Sequence, residues 1–336
     1  MDGAVPDAVA VNAASRVGVV VIGRNEGERL NVCIRSVKRC VTIIYVDSGS
    51  TDGSVQLARE AGVEVVELDM KFAFTAARAR NEGFRNLRRL AANLPYVQFV
   101  DGDCEIDRSW IEKAATFLDA NPDVAVACGR RRERFPSRSI YNRICDIEWN
   151  TPIGSVKSCG GDALMRVDAL ESSGCYRADL IAGEEPELCV RLRAAGWLIH
   201  RLDLEMTLHD AAITRFSQWW RRTVRSGYAF AQGASLHGKQ PERHWVWESR
   251  RALLWGFLLP IACVCCAVIW RPWGLILFSV YPVQLLRRAT RASGPLGSRV
   301  PLAFFELLSR FPEALGQIKF LRDRLVRRQG RLIEYK

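Results

Sequence analysis

The sequence lacks a disulfide framework: its 11 cysteines are odd in number and scattered along 336 residues, unlike the close, even set that staples a small secreted domain. The opening MDGAVPDAVA has neither a basic stretch nor a long apolar run, so the expectation is a protein of the reducing cytoplasm. Acidic residues are scarce only toward the end. Residues 213–336 hold 6 Asp+Glu against 21 Lys+Arg, a net of +15, whereas residues 1–212 hold 31 against 27, a net of −4. The formal charge of +11 is therefore confined to one third of the chain, which argues against a nucleic-acid partner. Another absence argues against a dinucleotide fold: residues 22–28 offer Gly23 and Gly27 but no GxGxxG. A hydrophobic content of 49% excludes disorder and leaves room for a large α/β domain with an appendage.

What is present is an alternation of β-rich runs and helical periodicity. Residues 17–22, 42–46, 63–68, 96–100 and 124–128 read as strands, and 28–39, 54–61, 75–90 and 108–120 as helices. That order predicts an open, mostly parallel sheet with crossover helices. Ligands of such sheets sit beyond the carboxyl ends of the strands. Three loops there stand out: IGRNEGE, DSGSTDGS and DGDCEID. In the last, Asp101-Gly102-Asp103 can turn two carboxylates toward one hard divalent cation, although an isolated DGD is equally an ordinary turn.

The DGD is not isolated. VVVIGRNEGERL (residues 19–30), VDSGSTDGS (46–54), ARARNEG (77–83), VDGDCEID (100–107), CGGDALMR (159–166) and GEEPELCVRL (183–192) follow one another in an order that resembles the family-two inverting glycosyltransferases of the GT-A fold. The resemblance covers about residues 17–235. It implies that Arg24, Glu26, Asp47 and Asp52 meet the base and ribose of a nucleotide-sugar donor, with Arg80 and Asn81 completing that pocket. By the same resemblance Asp101 faces the sugar or ribose, Asp103 binds a divalent cation (Mg2+ or Mn2+), and His209 approaches the cation and diphosphate. Arg24 stands where the family often has Tyr, and Ser48 where it has a second Asp, which leaves the donor base open.

Around Glu184-Glu185-Pro186-Glu187, Pro186 suits the first position of a helix that stops at Gly196, which places Glu185 at the N-cap. Acids there are also what a helix dipole favours for stability alone. The resemblance implies that Glu185, beside Glu184, occupies the place of the base that deprotonates an acceptor hydroxyl. Trp149 with Gly160, Gly161 and Asp162 shapes an acceptor or sugar contact in this reading, with Trp149 equally a core residue. The run Arg130-Arg131-Arg132-Glu133-Arg134 is a solvated basic loop or a contact for an acidic acceptor.

The last third carries two uncharged runs, 252–270 and 273–286, of 19 and 14 residues, against the roughly 20 needed to span a hydrocarbon core. Arg250-Arg251 and Arg287-Arg288 flank the pair, which predicts a hairpin with both ends on the cytoplasmic side. Residues 214–236 have the aromatic and cationic make-up of an interfacial helix, and 301–328 that of an amphipathic surface segment interrupted at Pro312.

The expected organisation is a flexible 1–16, a GT-A catalytic domain over 17–212, a helical connector over 213–249, a membrane hairpin over 250–288 and a basic amphipathic segment over 289–336. The expected activity is sugar transfer from a nucleotide diphosphate to a hydroxyl of a polyprenyl-linked or other glycan acceptor. It would take place on the cytoplasmic face of a bacterial inner membrane, in contact with its lipids, in envelope or exopolysaccharide synthesis. Two rivals stand beside it: a polyprenyl-phosphate sugar transferase, and a non-catalytic membrane scaffold with a degenerate transferase domain.

Overall fold

The run VGVVVIG forms β1 (Val17–Gly23), and its first six residues are buried. In the computed structural model, which describes residues 13–270, 273–291, 296–326, 330 and 333–334, this strand lies inside the sheet. It is followed by α1 (Glu28–Val37), β2 (Thr42–Asp47), α2 (Ser54–Glu60), β3 (Glu64–Glu67), α3 (Ala76–Leu90) and β4 (Tyr96–Asp101). Then come β5 (Cys104–Ile106), α4 (Trp110–Ala120), β6 (Val124–Glu133), α5 (Ile140–Glu148), β7 (Gly154–Ser155), β8 (Ala163–Arg166), α6 (Val167–Ser172), α7 (Glu184–Ala194) and β9 (Leu198–His209). The sheet order is β3-β2-β1-β4-β8-β6-β9-β5, with β7 on β9. The expected α/β architecture is present.

Register decides which loops meet. Gly23 pairs with Asp47 and Ile22 with Asp101, so the carboxyl ends of parallel β1, β2 and β4 finish level. Antiparallel β8 begins at that same edge, Ala163 lying opposite Phe99. β9 runs far enough to lay His209 beside Cys104 of β5 and Glu133 of β6. Helix α3 settles against β1 and β2 because Gly83 presents no Cβ, which would otherwise collide with Val20.

Several expectations need correction. Of the stretch 1–16, residues 1–12 lie outside the described residues, while Ala13–Arg16 is a 3-10 turn with Ala14 buried and Arg16 2.6 Å from Asp119. β6 continues through Glu133, so Arg130–Arg132 belong to a strand and not to a loop; neighbours along it point to opposite sides. α7 begins at Glu184 with Gly183 as its N-cap, two residues earlier than expected, because Gly183 takes the left-handed conformation at φ 78°.

Beyond β9, α8 (Phe216–His237) turns Trp219, Val224 and Tyr228 inward. α9 (Val246–Leu253), a π-turn at Leu254–Leu258 and α10 (Leu259–Ile269) form one continuous helical stretch. A 3-10 segment (Trp273–Ser279) and α11 (Val280–Arg291) double back beside it, with the Tyr281 hydroxyl donating to the Trp255 carbonyl at 2.8 Å. Helices α12 (Leu296–Leu308) and α13 (Arg310–Leu325) follow. The interruption expected at Pro312 falls at Ser309 instead, since Pro312 lies in the first turn of α13, where a missing N–H breaks no helix bond.

α13 is also no free surface segment. It packs on α8 so closely that a Cβ at Gly227 would strike the Glu313 backbone, and one at Gly316 the Val224 carbonyl. Replacing Gly227 by alanine gains about 1 kcal/mol of helix propensity but forces two backbones apart, at about 1–3 kcal/mol. Gly227→Ala and Gly316→Ala should therefore each lower the melting temperature of the purified protein. A rise in either would mean the two helices do not touch at these glycines.

Candidate active site

The first two strand-end loops are stitched together. The Asn25 side-chain oxygen accepts from the Thr51 N–H at 2.7 Å, and the Asn25 N–H donates to the Ser50 hydroxyl at 2.8 Å. Asp47 is buried, one carboxylate oxygen accepting from the N–H groups of Gly49 and Ser50 and the other from the Tyr45 hydroxyl. Burial pushes the Asp52 carboxyl up, but hydrogen bonds from Ser54 outweigh it and hold the group below its ordinary range. Asn81 exchanges hydrogen bonds with the Tyr176 backbone, 2.7 and 3.0 Å, and so ties α3 to the segment before α7.

Asp101 is the junction of the charged groups. Arg80 of α3 reaches its Oδ1 at 2.9 Å, and Arg131 of β6 its Oδ2 at 2.8 Å. Arg80 also holds Glu184 at 2.7 Å, and Arg131 reaches Asp162 at 3.2 Å. Burial would raise the Asp101 carboxyl, yet Arg80 and Arg131 overrule it and keep the group ionised below the usual carboxylate range. Burial disfavours charge on Arg80 as well, and Asp101 and Glu184 more than compensate. Asp162 has no exposed surface: it accepts from the Asp101 N–H and the Thr207 hydroxyl, a supporting position behind the cavity wall.

A cavity of about 570 Å³ opens at this edge. Of the residues singled out in the sequence, Arg24, Glu26, Asp101, Asp103, Trp149 and His209 line it. Asp47, Asp52, Arg80, Asn81, Gly160, Gly161 and Asp162 stand outside the lining, as do Glu184 and Glu185. Arg29, Arg131, Arg222, Arg225 and Glu334 line it without having been singled out for the site. Period-two alternation would have found Arg131 had the strand been extended past Cys128; nothing local marks Glu334, which meets Arg24 at 3.1 Å.

Asp103 and His209 face one another across the cavity floor, Oδ1 to Nε2 at 3.1 Å. The Trp149 ring lies 4.6 Å from the imidazole, and the Arg131 guanidinium sits over that ring at 5.0 Å. A carboxylate oxygen and an imidazole nitrogen bordering a cavity suit Mn2+ or Mg2+, so the residues fit a divalent cation.

Glu185 takes its partners from elsewhere. Its Oε1 accepts from the Cys159 N–H at 2.6 Å and from the thiols of Cys159 and Cys189 at 3.1 and 3.0 Å. Among the described residues no hydrogen bond ends on its Oε2. Burial raises both thiols, that of Cys189 to about 11. Glu187 is held by Arg191 and by the His237 ring, 2.8 and 2.9 Å away.

Comparison with known proteins agrees with this geometry. Residues 18–170 match the family described as Glycosyl transferase family 2. Glycosyltransferase AglE of Haloferax volcanii is 22% identical over 195 residues, 54% of this chain and 62% of AglE. The succinoglycan biosynthesis protein ExoA of Rhizobium meliloti is 24% identical over 202 residues, 55% of this chain and 60% of ExoA. An uncharacterized glycosyltransferase of Mycobacterium tuberculosis is 28% identical over 199 residues, 57% of this chain and 85% of its own length. The matched stretch thus spans less than two thirds of AglE and ExoA. Among solved structures, mannosyltransferase PcManGT from Pyrobaculum calidifontis, in complex with GDP-Man and Mn2+, superposes with a TM-score of 0.58 at 19% identity. That superposition covers 92% of this chain and 88% of PcManGT. Residues 18–170, which carry the strand-end loops of this cavity, thus match a glycosyltransferase family 2 domain, and the chain has the GT-A fold.

Proposed function

We propose that this chain transfers a sugar, with inversion, from a nucleoside-diphosphate donor to a hydroxyl of a lipid-linked acceptor, at the cytoplasmic face of a bacterial inner membrane. The observation that carries the reading is the single cavity at which Asp103, His209 and the Arg-clamped Asp101 meet at the carboxyl ends of β1, β2 and β4. ExoA's role in succinoglycan biosynthesis supports a polysaccharide pathway, and GDP-Man with Mn2+ in PcManGT supports a nucleotide sugar and a cation.

In this reading Glu26 and the Arg24 guanidinium, which lies over Phe74 at 4.9 Å, form the nucleotide end of the cavity. Asp101 stays ionised and can accept hydrogen bonds from donor hydroxyls. A divalent cation held by Asp103 and His209 would supply charge neutralisation for the departing diphosphate. Arg29, Arg222 and Arg225 add fixed positive charge along the same wall. Inversion in one displacement needs a base aligned on the acceptor hydroxyl. Glu185 suits that task better than Glu184: Glu184 is held in an ion pair with Arg80, whereas Glu185 is anchored through Oε1 and keeps Oε2 for the proton.

The C-terminal helices support the membrane part. Val246–Ile269 is the one helix among the described residues long and apolar enough to cross a bilayer, its most apolar stretch of 18 residues having a mean hydropathy of 2.5. Its Phe257, Leu258, Ile261, Val264 and Val268 are exposed, as are Leu275, Ile276 and Val283 of the returning segment, a contiguous apolar surface that suits lipid. The basic flanks end together, Arg288 on Glu306 and Arg251 within electrostatic reach of Arg310 and Glu313.

Asp103→Ala, or chelator in place of Mn2+ or Mg2+, should abolish sugar transfer while leaving the melting curve unchanged; full turnover in chelator would remove the cation from the reading. Glu185→Gln should lower kcat by about 10²–10⁴-fold with little change in donor affinity, the range of a general base. Glu184→Gln should instead lower stability and donor affinity, because it strips one partner from buried Arg80. The reverse pattern would move the base to Glu184. Salt should fail to release the full-length protein from membranes, and detergent should succeed, as measured by fractionation and immunoblotting.

A further inference from the structure

Behind the cavity, three buried side chains from two parts of the chain converge on one another, with the Gly160 carbonyl, 3.4 Å from the Cys159 sulfur, as a further acceptor. Cys159 comes from the loop before β8, Glu185 and Cys189 from successive turns of α7, and their ligand atoms all lie within 4.8 Å of one another. We propose that Cys159, Cys189 and Glu185 form a binding site for a soft divalent cation, zinc above all, distinct from the site at Asp103 and His209.

Geometry and donor chemistry carry this. In a tetrahedral zinc site with Zn–S of about 2.3 Å and Zn–O of about 2.0 Å, sulfur stands about 3.8 Å from sulfur and about 3.5 Å from oxygen. Here the Cys159 and Cys189 sulfurs are 3.7 Å apart, and Oε1 of Glu185 is 3.1 and 3.0 Å from them. The sulfur edge already has the required length; the carboxylate has to withdraw by roughly half an ångström to complete the face. Side chains at positions 185 and 189 share one helix face by their i, i+4 spacing, so two of the three donors are fixed by α7 alone. Two sulfurs and one oxygen favour zinc, whereas the group at Asp103, Cys104 and His209 offers a single sulfur beside its oxygen and nitrogen. Zinc entering at neutral pH displaces both thiol protons to solvent, and a water takes the fourth position.

The site does not depend on the transferase reading, but its consequence does: a cation bound there engages the carboxylate assigned as the base, so zinc should inhibit transfer. The test uses full-length protein in detergent, reduced, stripped with chelator and titrated with Co2+ alone. One equivalent should give a near-ultraviolet sulfur-to-cobalt charge-transfer band that Zn2+ abolishes. The band should survive Cys104→Ala and Asp103→Asn and vanish in Cys159→Ala and Cys189→Ala, with Cys159→Ser and Cys189→Ser as second variants and melting curves confirming that each is folded. No band from folded wild-type protein, or a band that persists in either cysteine variant, overturns the site. Bound zinc with unimpaired transfer would uphold the site and remove Glu185 from the role of base.

Discussion

The grip of two arginines on Asp101 is the constraint on which the candidate site depends. Arg80 comes from α3, Arg131 from β6 and Asp101 from the end of β4, and each guanidinium takes a different carboxylate oxygen. Behind them Glu184 and Asp162 hold the arginines from the other side. A buried charge costs several kcal/mol unless it is paired, so no member of this set can be removed without stranding another. Within this set three carboxylates face two guanidiniums, and Asp103, paired with His209, stands next to it on the cavity floor.

The same network explains why a domain whose family match ends at residue 170 depends on residues well beyond it. Glu184 reaches the cavity wall only through Arg80, and His209 only because β9 runs on from Leu198 to pair with β5 beside Asp103. The helices after β9 add to the same wall. Arg222 and Arg225 face the cavity from α8, while Trp219, Val224 and Tyr228 of that helix are buried. One helix therefore joins the polar cavity to the bundle that carries the apolar hairpin. Close backbone contact at Gly227 and Gly316 lets α13 hold α8 in place.

Much of this was legible in the chain because its signals are local. Hydrophobic periodicity marks β1, β2 and β4 to within a residue or two, and strand-end acids announce Asp101 and Asp103. The uncharged run 252–270 and its arginine flanks announce an apolar helix by length and composition alone. Gly183, by contrast, outcompeted Pro186 as the start of α7, since a left-handed N-cap is read from φ and not from residue type. Arg130–Arg132 reads as a loop because charge masks strand periodicity; backbone pairing with β9 makes it a strand, and Asp146, Asp101 and Glu205 neutralise its arginines.

The α/β order, the carboxylates after β4, the acids at the start of α7 and the uneven charge are legible without a fold, because each is written in neighbouring residues. Long-range packing was needed for Arg131 to close on Asp101, for Asp47, Asn81 and Asp162 to brace loops outside the cavity lining, and for Glu185 to lie between two thiols. Those outcomes depend on strand register and helix packing, which bring together residues 26 to 104 positions apart and are set by the burial of the whole sheet, not by any one segment.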